Sequence, residues 1–160
     1  MIDTGVDYTH PDLAANMWVN AAEFSGAPGV DDDGNGYVDD IHGADTVYRD
    51  GDPQDDHGHG THVAGIIAAQ AGNGIGGVGV AYNTQIMAIK AAQYSGVLSS
   101  SDIAEAIIYA VQHGADVINM SFGGYARSQT EEDALAVAFE TAVLVAAAGN
   151  DSAVNLPCKK

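Results

Sequence analysis

From residue 61 onward, segments with a helical pattern alternate with short apolar runs, and this alternation constrains the fold more than any other feature. Such alternation predicts a parallel sheet with helices on both of its faces. The sequence therefore predicts an α/β three-layer sandwich with a mainly parallel central sheet. The predicted elements, in chain order, are helix 61–71, strand 85–90, a helix starting near 102, strand 116–121, helix 131–142 and strand 143–148.

Two of these helices carry local boundary signals. Asp102 is followed three residues later by Glu105, which is the spacing of a capping box at a helix N-terminus. Gly114 is expected to end the same helix. The acidic first turn at Glu131 suits the positive end of a helix dipole.

Polar residues follow three of the predicted strands at the point where each strand ends. Asp3 follows the first apolar residues, Ser121 ends the strand at 116–121, and Asn150 lies just after the last strand. Because parallel sheets place functional residues at the carboxyl ends of their strands, we expect these side chains along one edge. Only two apolar residues precede Asp3, whereas a strand has about five or six residues. The first strand is therefore expected to be cut short.

Three histidines separated by glycines precede the helix predicted at 61–71. His57, His59 and His62 form an H-x-H-x-x-H cluster. Histidine transfers protons near neutral pH, so a catalytic base at the start of a helix is one interpretation. Imidazole is also a common zinc ligand, which makes a zinc site the second interpretation. The third is a polar loop whose histidines only form hydrogen bonds, and these residues alone leave all three open.

Negative charge dominates the chain and is concentrated in one segment. The formal net charge is −17 at pH 7, and ten of the seventeen aspartates lie between positions 31 and 56. This charge argues against nucleic acid or an anionic membrane as a partner, and no segment is long and apolar enough to span a bilayer. Carboxylates so closely spaced repel each other unless a cation lies between them.

Residues 31–40 have the D-x-D-x-N-G spacing of a calcium loop of the EF-hand type. Oxygen-bearing side chains converge on one point in such a loop, and Gly36 permits its sharp turn. The predicted Ca²⁺ ligands are Asp31, Asp33, Asn35, the carbonyl of Tyr37, and Asp40. The twelfth position is His42 rather than Glu, and no helices are predicted beside the loop, so Asp39 or Asp40 must complete the shell. A solvated acidic loop is the alternative.

Five short motifs occur in the order typical of the subtilisin-like serine proteases, the subtilases. They are Ile2-Asp3-Thr4-Gly5, His10-Pro11-Asp12-Leu13, His59-Gly60-Thr61-His62-Val63-Ala64-Gly65, Asn119-Met120-Ser121-Phe122-Gly123-Gly124 and Ala147-Ala148-Gly149-Asn150. Residues 1–160 therefore resemble part of a subtilisin-like catalytic domain. The resemblance implies a serine-type endopeptidase that hydrolyses peptide bonds through an Asp-His-Ser triad.

Carried over by position, the resemblance implies roles for three catalytic residues. Asp3 would orient and stabilise the imidazole of His59, which would act as general base and then general acid. Asn150 would donate its amide to the oxyanion. His62 matches a structural histidine of the family, whereas His57 matches no family role, so the resemblance argues against the zinc interpretation of the three histidines. The implied substrate-binding residues are the edge Gly96, Val97 and Leu98, and the pocket residues Ser121, Phe122, Gly123, Ala147, Ala148 and Gly149.

One departure from the family pattern bears on activity. The family motif Gly-Thr-Ser-Met-Ala, which carries the nucleophilic serine, is not found among residues 1–160. We therefore expect a catalytic domain truncated at both ends and inactive by itself, and a non-catalytic, calcium-stabilised pseudoprotease module is the alternative. For the whole protein the resemblance implies polypeptide substrates and secretion, and it leaves room for a propeptide, although residues 1–160 show no signal peptide.

Overall fold

The computed structural model describes residues 1–124 and 126–150, which contain one sheet and four α-helices. The strands are β1 (Ile2–Asp3), β2 (Gly43–Asp45), β3 (Ala88–Lys90), β4 (Val117–Met120) and β5 (Val143–Ala146). The helices are α1 (Ala21–Ser25), α2 (His59–Ala68), α3 (Ser100–Gln112) and α4 (Gln129–Phe139), with a 3₁₀ turn at Ala14–Asn16. Within these ranges no helix is long and apolar enough to cross a bilayer.

The sheet is parallel throughout and has β1 at its centre. Its strand order is β2-β3-β1-β4-β5. Strands β2 and β3 therefore lie on one side of β1, and the later strands β4 and β5 lie on the other. Ile2 is in register with Ile89 of β3 and with Met120 of β4, and Asp3 is in register with Lys90. The shortest strand therefore holds the central position and delivers Asp3 to the carboxyl edge of the sheet.

Two separate hydrophobic clusters lie on opposite faces of the sheet. Successive side chains of a strand point to opposite faces, and β3 shows this directly. Ile89 belongs to the cluster that includes Ile107 of α3 and Ala138 of α4, whereas its neighbour Ala88 belongs to the cluster that includes Ala64 of α2. The predicted three-layer α/β sandwich with a mainly parallel sheet is confirmed.

The predicted helix near residue 102 exists, but the capping prediction was wrong. Helix α3 begins at Ser100, and the side chain of Ser99 accepts a hydrogen bond from the backbone N–H of Asp102 at 3.2 Å. Because the capping residue is Ser99, Glu105 lies in the second turn of the helix and cannot complete a capping box. Its carboxylate instead accepts from the hydroxyl of Tyr37 at 2.6 Å and pairs with Arg49.

Strand β2 was not predicted from the sequence. Gly43, Ala44 and Asp45 are buried and pair in parallel with β3. Gly43 has φ +132°, and a Cβ atom there would lie 1.7 Å from the carbonyl oxygen of Ala88. Glycine is therefore required where the two backbones approach each other. The strand is too short for a periodic pattern to reveal it.

Candidate functional site

The side chains of Asp3 and His59 meet at the carboxyl end of β1. The Nδ1 atom of His59 lies 2.6 Å from Oδ1 of Asp3, which is within hydrogen-bonding distance. Because an ionised carboxylate can only accept, Nδ1 is the nitrogen that donates, and in the neutral ring the lone pair is then on Nε2. Asp3 is 3% exposed whereas the His59 side chain is 47% exposed. The pair thus combines a buried carboxylate with an imidazole open to solvent.

The first turn of α2 packs closely against the turn that follows β1. The N–H of Gly60 donates to Oγ1 of Thr4 at 2.9 Å. A Cβ atom at position 60 would lie 2.0 Å from the carbonyl oxygen of Gly5 and 3.2 Å from Oδ1 of Asp3. Only glycine permits this approach, and the approach brings the histidine beside the aspartate.

The carboxylate of Asp55 joins the same two elements. Its Oδ1 accepts from the hydroxyl of Thr4 and from the N–H groups of His57 and Gly58, each at 2.9 Å. Its Oδ2 accepts from the N–H of Thr61 at 2.9 Å and from the hydroxyl of Thr61 at 2.5 Å. Burial alone would raise the pKa of Asp55, but hydrogen bonds from Thr61, Gly58 and His57 outweigh it and hold the pKa below its usual value. The sequence analysis did not select Asp55.

Lys90 fixes the loop before α2 from the other side. It is 3% exposed, and its ammonium group lies 2.6 Å from Oδ2 of Asp56 and 3.3 Å from the carbonyl oxygen of Gln54. Since Lys90 is in register with Asp3, the ion pair ties this loop to the strand beside β1. The sequence analysis did not select Lys90 either.

The predicted substrate-binding edge forms a tight turn next to this site. The N–H of Gly96 donates to the carbonyl of Gln93 at 2.8 Å, and Leu98 forms an antiparallel bridge with Ala92. Val97 is 58% exposed. If a Cβ atom were present on Gly96 it would lie 3.4 Å from Nε2 of His57, so the turn and the histidine loop lie side by side.

The predicted pocket segments follow two neighbouring strands at the same edge. Ser121, Phe122 and Gly123 follow β4, while Ala147, Ala148 and Gly149 follow β5. The N–H of Ala147 donates to the carbonyl of Met120 at 3.1 Å, which holds the two segments together. Asn150 comes next and is exposed. The structure therefore brings the two pocket segments together and leaves Asn150 accessible at the end of the second.

The acidic loop places two of the predicted ligands beside a residue that was not predicted. Carboxylate oxygens of Glu23, Asp31 and Asp33 all lie within 4.8 Å of one another. Glu23 is 4% exposed, and its Oε1 accepts from the N–H groups of Asp32 at 2.7 Å and of Asp33 at 3.1 Å. Three hard oxygen donors at this spacing suit calcium. Glu23 lies in α1, before the loop motif, so the spacing of the loop alone gave no signal for it.

Asp40 and Asn35, two other predicted ligands, turn toward the protein interior. Asp40 is fully buried and accepts from the side-chain amides of Asn20 at 3.1 Å and Asn35 at 2.8 Å, and from the hydroxyl of Tyr109. Burial raises the pKa of Asp40, and the hydrogen bonds from Tyr109 and Asn35 offset only part of that effect. The amide oxygen of Asn35 accepts from the N–H of Tyr37 at 2.7 Å. The geometry therefore favours Glu23 over Asp40 as the third carboxylate.

Comparison with known proteins gives concordant matches. The sequence model of the Subtilase family matches residues 1–159. Over 122 residues the chain is 48% identical to subtilisin-like protease 1 of Plasmodium vivax, covering 76% of this chain and 19% of the relative. Over 160 residues it is 35% identical to thermitase of Thermoactinomyces vulgaris, covering 98% of this chain and 49% of the relative. The chain thus spans about half or less of these relatives.

Solved structures agree with the sequence matches. The crystal structure of a cold-adapted subtilisin-like serine proteinase superposes with a TM-score of 0.69 at 30% identity, covering 93% of this chain and 45% of that one. A psychrophilic protease, S41, gives the same TM-score at 34% identity, covering 93% of this chain and 44% of that one.

We predict that Asp55→Asn destabilises the fold by about 1 to 3 kcal/mol at pH 7, because an amide cannot accept all of the hydrogen bonds that reach the carboxylate. Since the folded-state pKa of Asp55 is lowered, its contribution is present above the unfolded value near 4 and is lost as the pH falls through the folded value. Urea unfolding between pH 3 and pH 7 measures this contribution to the free energy of unfolding. The control Asp116→Asn makes the same change at an exposed residue; equal effects of the two variants would refute the role of Asp55.

Proposed function

Because the chain belongs to the subtilase family, we propose that it supplies two members of the triad of a serine endopeptidase, Asp3 and His59. The observation that carries this proposal is the 2.6 Å contact between His59 Nδ1 and Asp3 Oδ1, in which the His59 side chain is 47% exposed. A neutral imidazole held in this tautomer is the form that a general base requires.

The proposed reaction assigns each residue one task. Nε2 of His59 takes the proton of a serine hydroxyl while the serine oxygen bonds to the peptide carbonyl carbon. His59 then passes that proton to the leaving amine, and Asp3 stays ionised and stabilises the imidazolium. The side-chain amide of Asn150 donates to the oxyanion. Attack by water, with His59 again as base, releases the second product and restores the serine.

Substrate binding is proposed along the exposed edge at 96–98 and in the pocket formed after β4 and β5. An extended peptide pairs its backbone with such an edge, which gives affinity without strict dependence on side chains. Gly96, Val97 and Leu98 would pair with the peptide. The segments beginning at Ser121 and Ala147 would receive the side chain before the scissile bond. Polypeptides are accordingly the proposed substrate class.

Calcium is proposed as a stabilising ion at the acidic loop, with Glu23, Asp31 and Asp33 as its carboxylate ligands. The three carboxylates repel one another unless a cation compensates their charge, and oxygen donors select a hard cation. Such a loop suits the calcium concentrations found outside cells, so the proposed setting is extracellular.

We predict that residues 1–160 alone neither hydrolyse fluorogenic peptides nor react with a fluorophosphonate probe, because the serine of the family motif is not among them. Joining residues 1–150 to the serine-bearing C-terminal part of thermitase is expected to produce hydrolysis and labelling. In that chimera His59→Ala should lower kcat by about 10⁶-fold, as loss of the triad histidine does in subtilisin.

The thermitase part alone and the unaltered chain serve as controls for this experiment. A folded chimera that is never labelled would favour the non-catalytic, calcium-stabilised module instead. Labelling of a serine within residues 1–160, lost in His59→Ala, would show that the nucleophile is a serine we have not identified.

We further predict that calcium raises the melting temperature of the chain. At a hundred times the dissociation constant, a bound ion stabilises the fold by about 2.7 kcal/mol, which corresponds to roughly 5 to 10 °C for a domain of this size. Glu23→Gln should reduce this shift, whereas Glu140→Gln, at an exposed position, should leave it unchanged. Differential scanning calorimetry with calcium or with a chelator measures the shift, and identical melting in both would refute the site.

A further inference from the structure

We propose that His57 and His59 together bind a transition-metal cation of the zinc class. The mechanism above gives His57 no task, although its ring lies next to that of His59. The two ring centroids are 6.5 Å apart and the planes are inclined at 69°. Among the described residues, neither the His57 ring nor Nε2 of His59 has a hydrogen-bond partner. Both imidazoles therefore retain a lone pair for a ligand.

His59 already has the arrangement of a metal-binding histidine. Its Nδ1–H donates to the buried carboxylate of Asp3 at 2.6 Å, which leaves Nε2 of the neutral ring free to act as a ligand. A carboxylate behind the imidazole fixes the tautomer and raises the basicity of the nitrogen that binds the metal. The feature that makes His59 a base in the proposed reaction thus also makes it a good ligand.

His57 is held by its backbone while its ring remains free to turn. The N–H groups of His57 and Gly58 both donate to Oδ1 of Asp55 at 2.9 Å. The ring itself is exposed, and the missing side chain at Gly96 leaves space beside its Nε2. Zn–N bonds are about 2.0 to 2.1 Å, so two imidazoles on one tetrahedral zinc have ring centres roughly 5 Å apart. A displacement of roughly 1 to 1.5 Å of the free ring closes that gap.

The third histidine of the H-x-H-x-x-H cluster does not belong to this site. His62 lines a separate open depression together with Asp7 and His10, and neither His57 nor His59 lines that depression. The site therefore has two protein ligands, and water completes the shell. Imidazole ligands select zinc, copper or nickel rather than calcium or magnesium, so this metal is chemically distinct from the one proposed at the acidic loop. The net charge of −17 favours any cation.

A metal ion bound at this site would inhibit the proposed reaction, because Nε2 of His59 cannot accept a proton while its lone pair binds a cation. This consequence rests on the proposed function, whereas the binding itself does not. Binding can therefore be measured on residues 1–160 without any catalytic serine.

The test is a titration of the chain with zinc chloride in the presence of excess calcium, followed by calorimetry and by the ring resonances of ¹⁵N-labelled histidine. We expect one strong site, with the resonances of His57 and His59 shifting together. His57→Gln should weaken zinc binding at least tenfold, whereas His62→Gln should leave it unchanged. Asp3→Asn should weaken it by about 10- to 100-fold, as loss of a carboxylate behind a histidine ligand does.

Two results would overturn the proposal. One is zinc binding by His57→Gln with the affinity of the unaltered chain, and the other is a strong dependence on His62. The proposal would also be overturned if no histidine ring resonance shifted at stoichiometric zinc. In the active chimera, zinc should inhibit hydrolysis and His57→Gln should relieve the inhibition. A chimera that binds zinc but never hydrolyses peptides would contradict the proposed function and leave the metal site intact.

Discussion

The contact between Asp3 and His59 depends on how closely the start of α2 approaches the end of β1, and one carboxylate controls that approach. Asp55 accepts hydrogen bonds from Thr4 on the β1 side and from Thr61 on the α2 side. No side chain caps the first turn of α2 from the capping position, which is Gly58, so Asp55 supplies that function from the preceding loop. Gly60 lets the two backbones touch. The geometry of the dyad follows from these contacts.

The central position of β1 explains why so short a strand can hold the side chain of Asp3 in place. Asp3 is held by β3 on one side, and its neighbour Ile2 is flanked by β3 and β4. The carboxylate is buried while the imidazole opposite it reaches solvent. A pre-oriented pair of this kind is useful in two ways, since the free nitrogen of His59 can accept a proton or bind a metal ion. Metal binding by His59 depends on His57 as the second ligand.

Local patterns were sufficient for much of this structure. Alternation of helical and apolar segments predicted the parallel sheet and its two helical layers, because 3.6-residue and two-residue periods report directly on which face is buried. The pairing of Asp3 with His59 was an implication of the resemblance to the subtilases and not of a local pattern, since the two residues are 56 positions apart. The position of Asp3 at the edge of the sheet follows from the rule that functional residues lie at the carboxyl ends of parallel strands.

Contacts between distant residues account for what the sequence could not predict. Glu23 joins the acidic loop through backbone N–H groups, whereas Asp40 turns inward to Tyr109, which lies in α3. Glu105 accepts from the hydroxyl of Tyr37. In each case a partner 9 to 69 residues away decides where a carboxylate lies, and no local pattern records such a partner.

The central claim is that the chain itself holds His59 against Asp3 in one tautomer, before any serine or substrate is present. A proton NMR spectrum of residues 1–160 in water tests it most directly. The account predicts one ring N–H resonance well downfield of the backbone amides, assigned to Nδ1 of His59 and absent in Asp3→Ala. A spectrum without that resonance, or a His59 ring that exchanges between its two tautomers, would contradict the account.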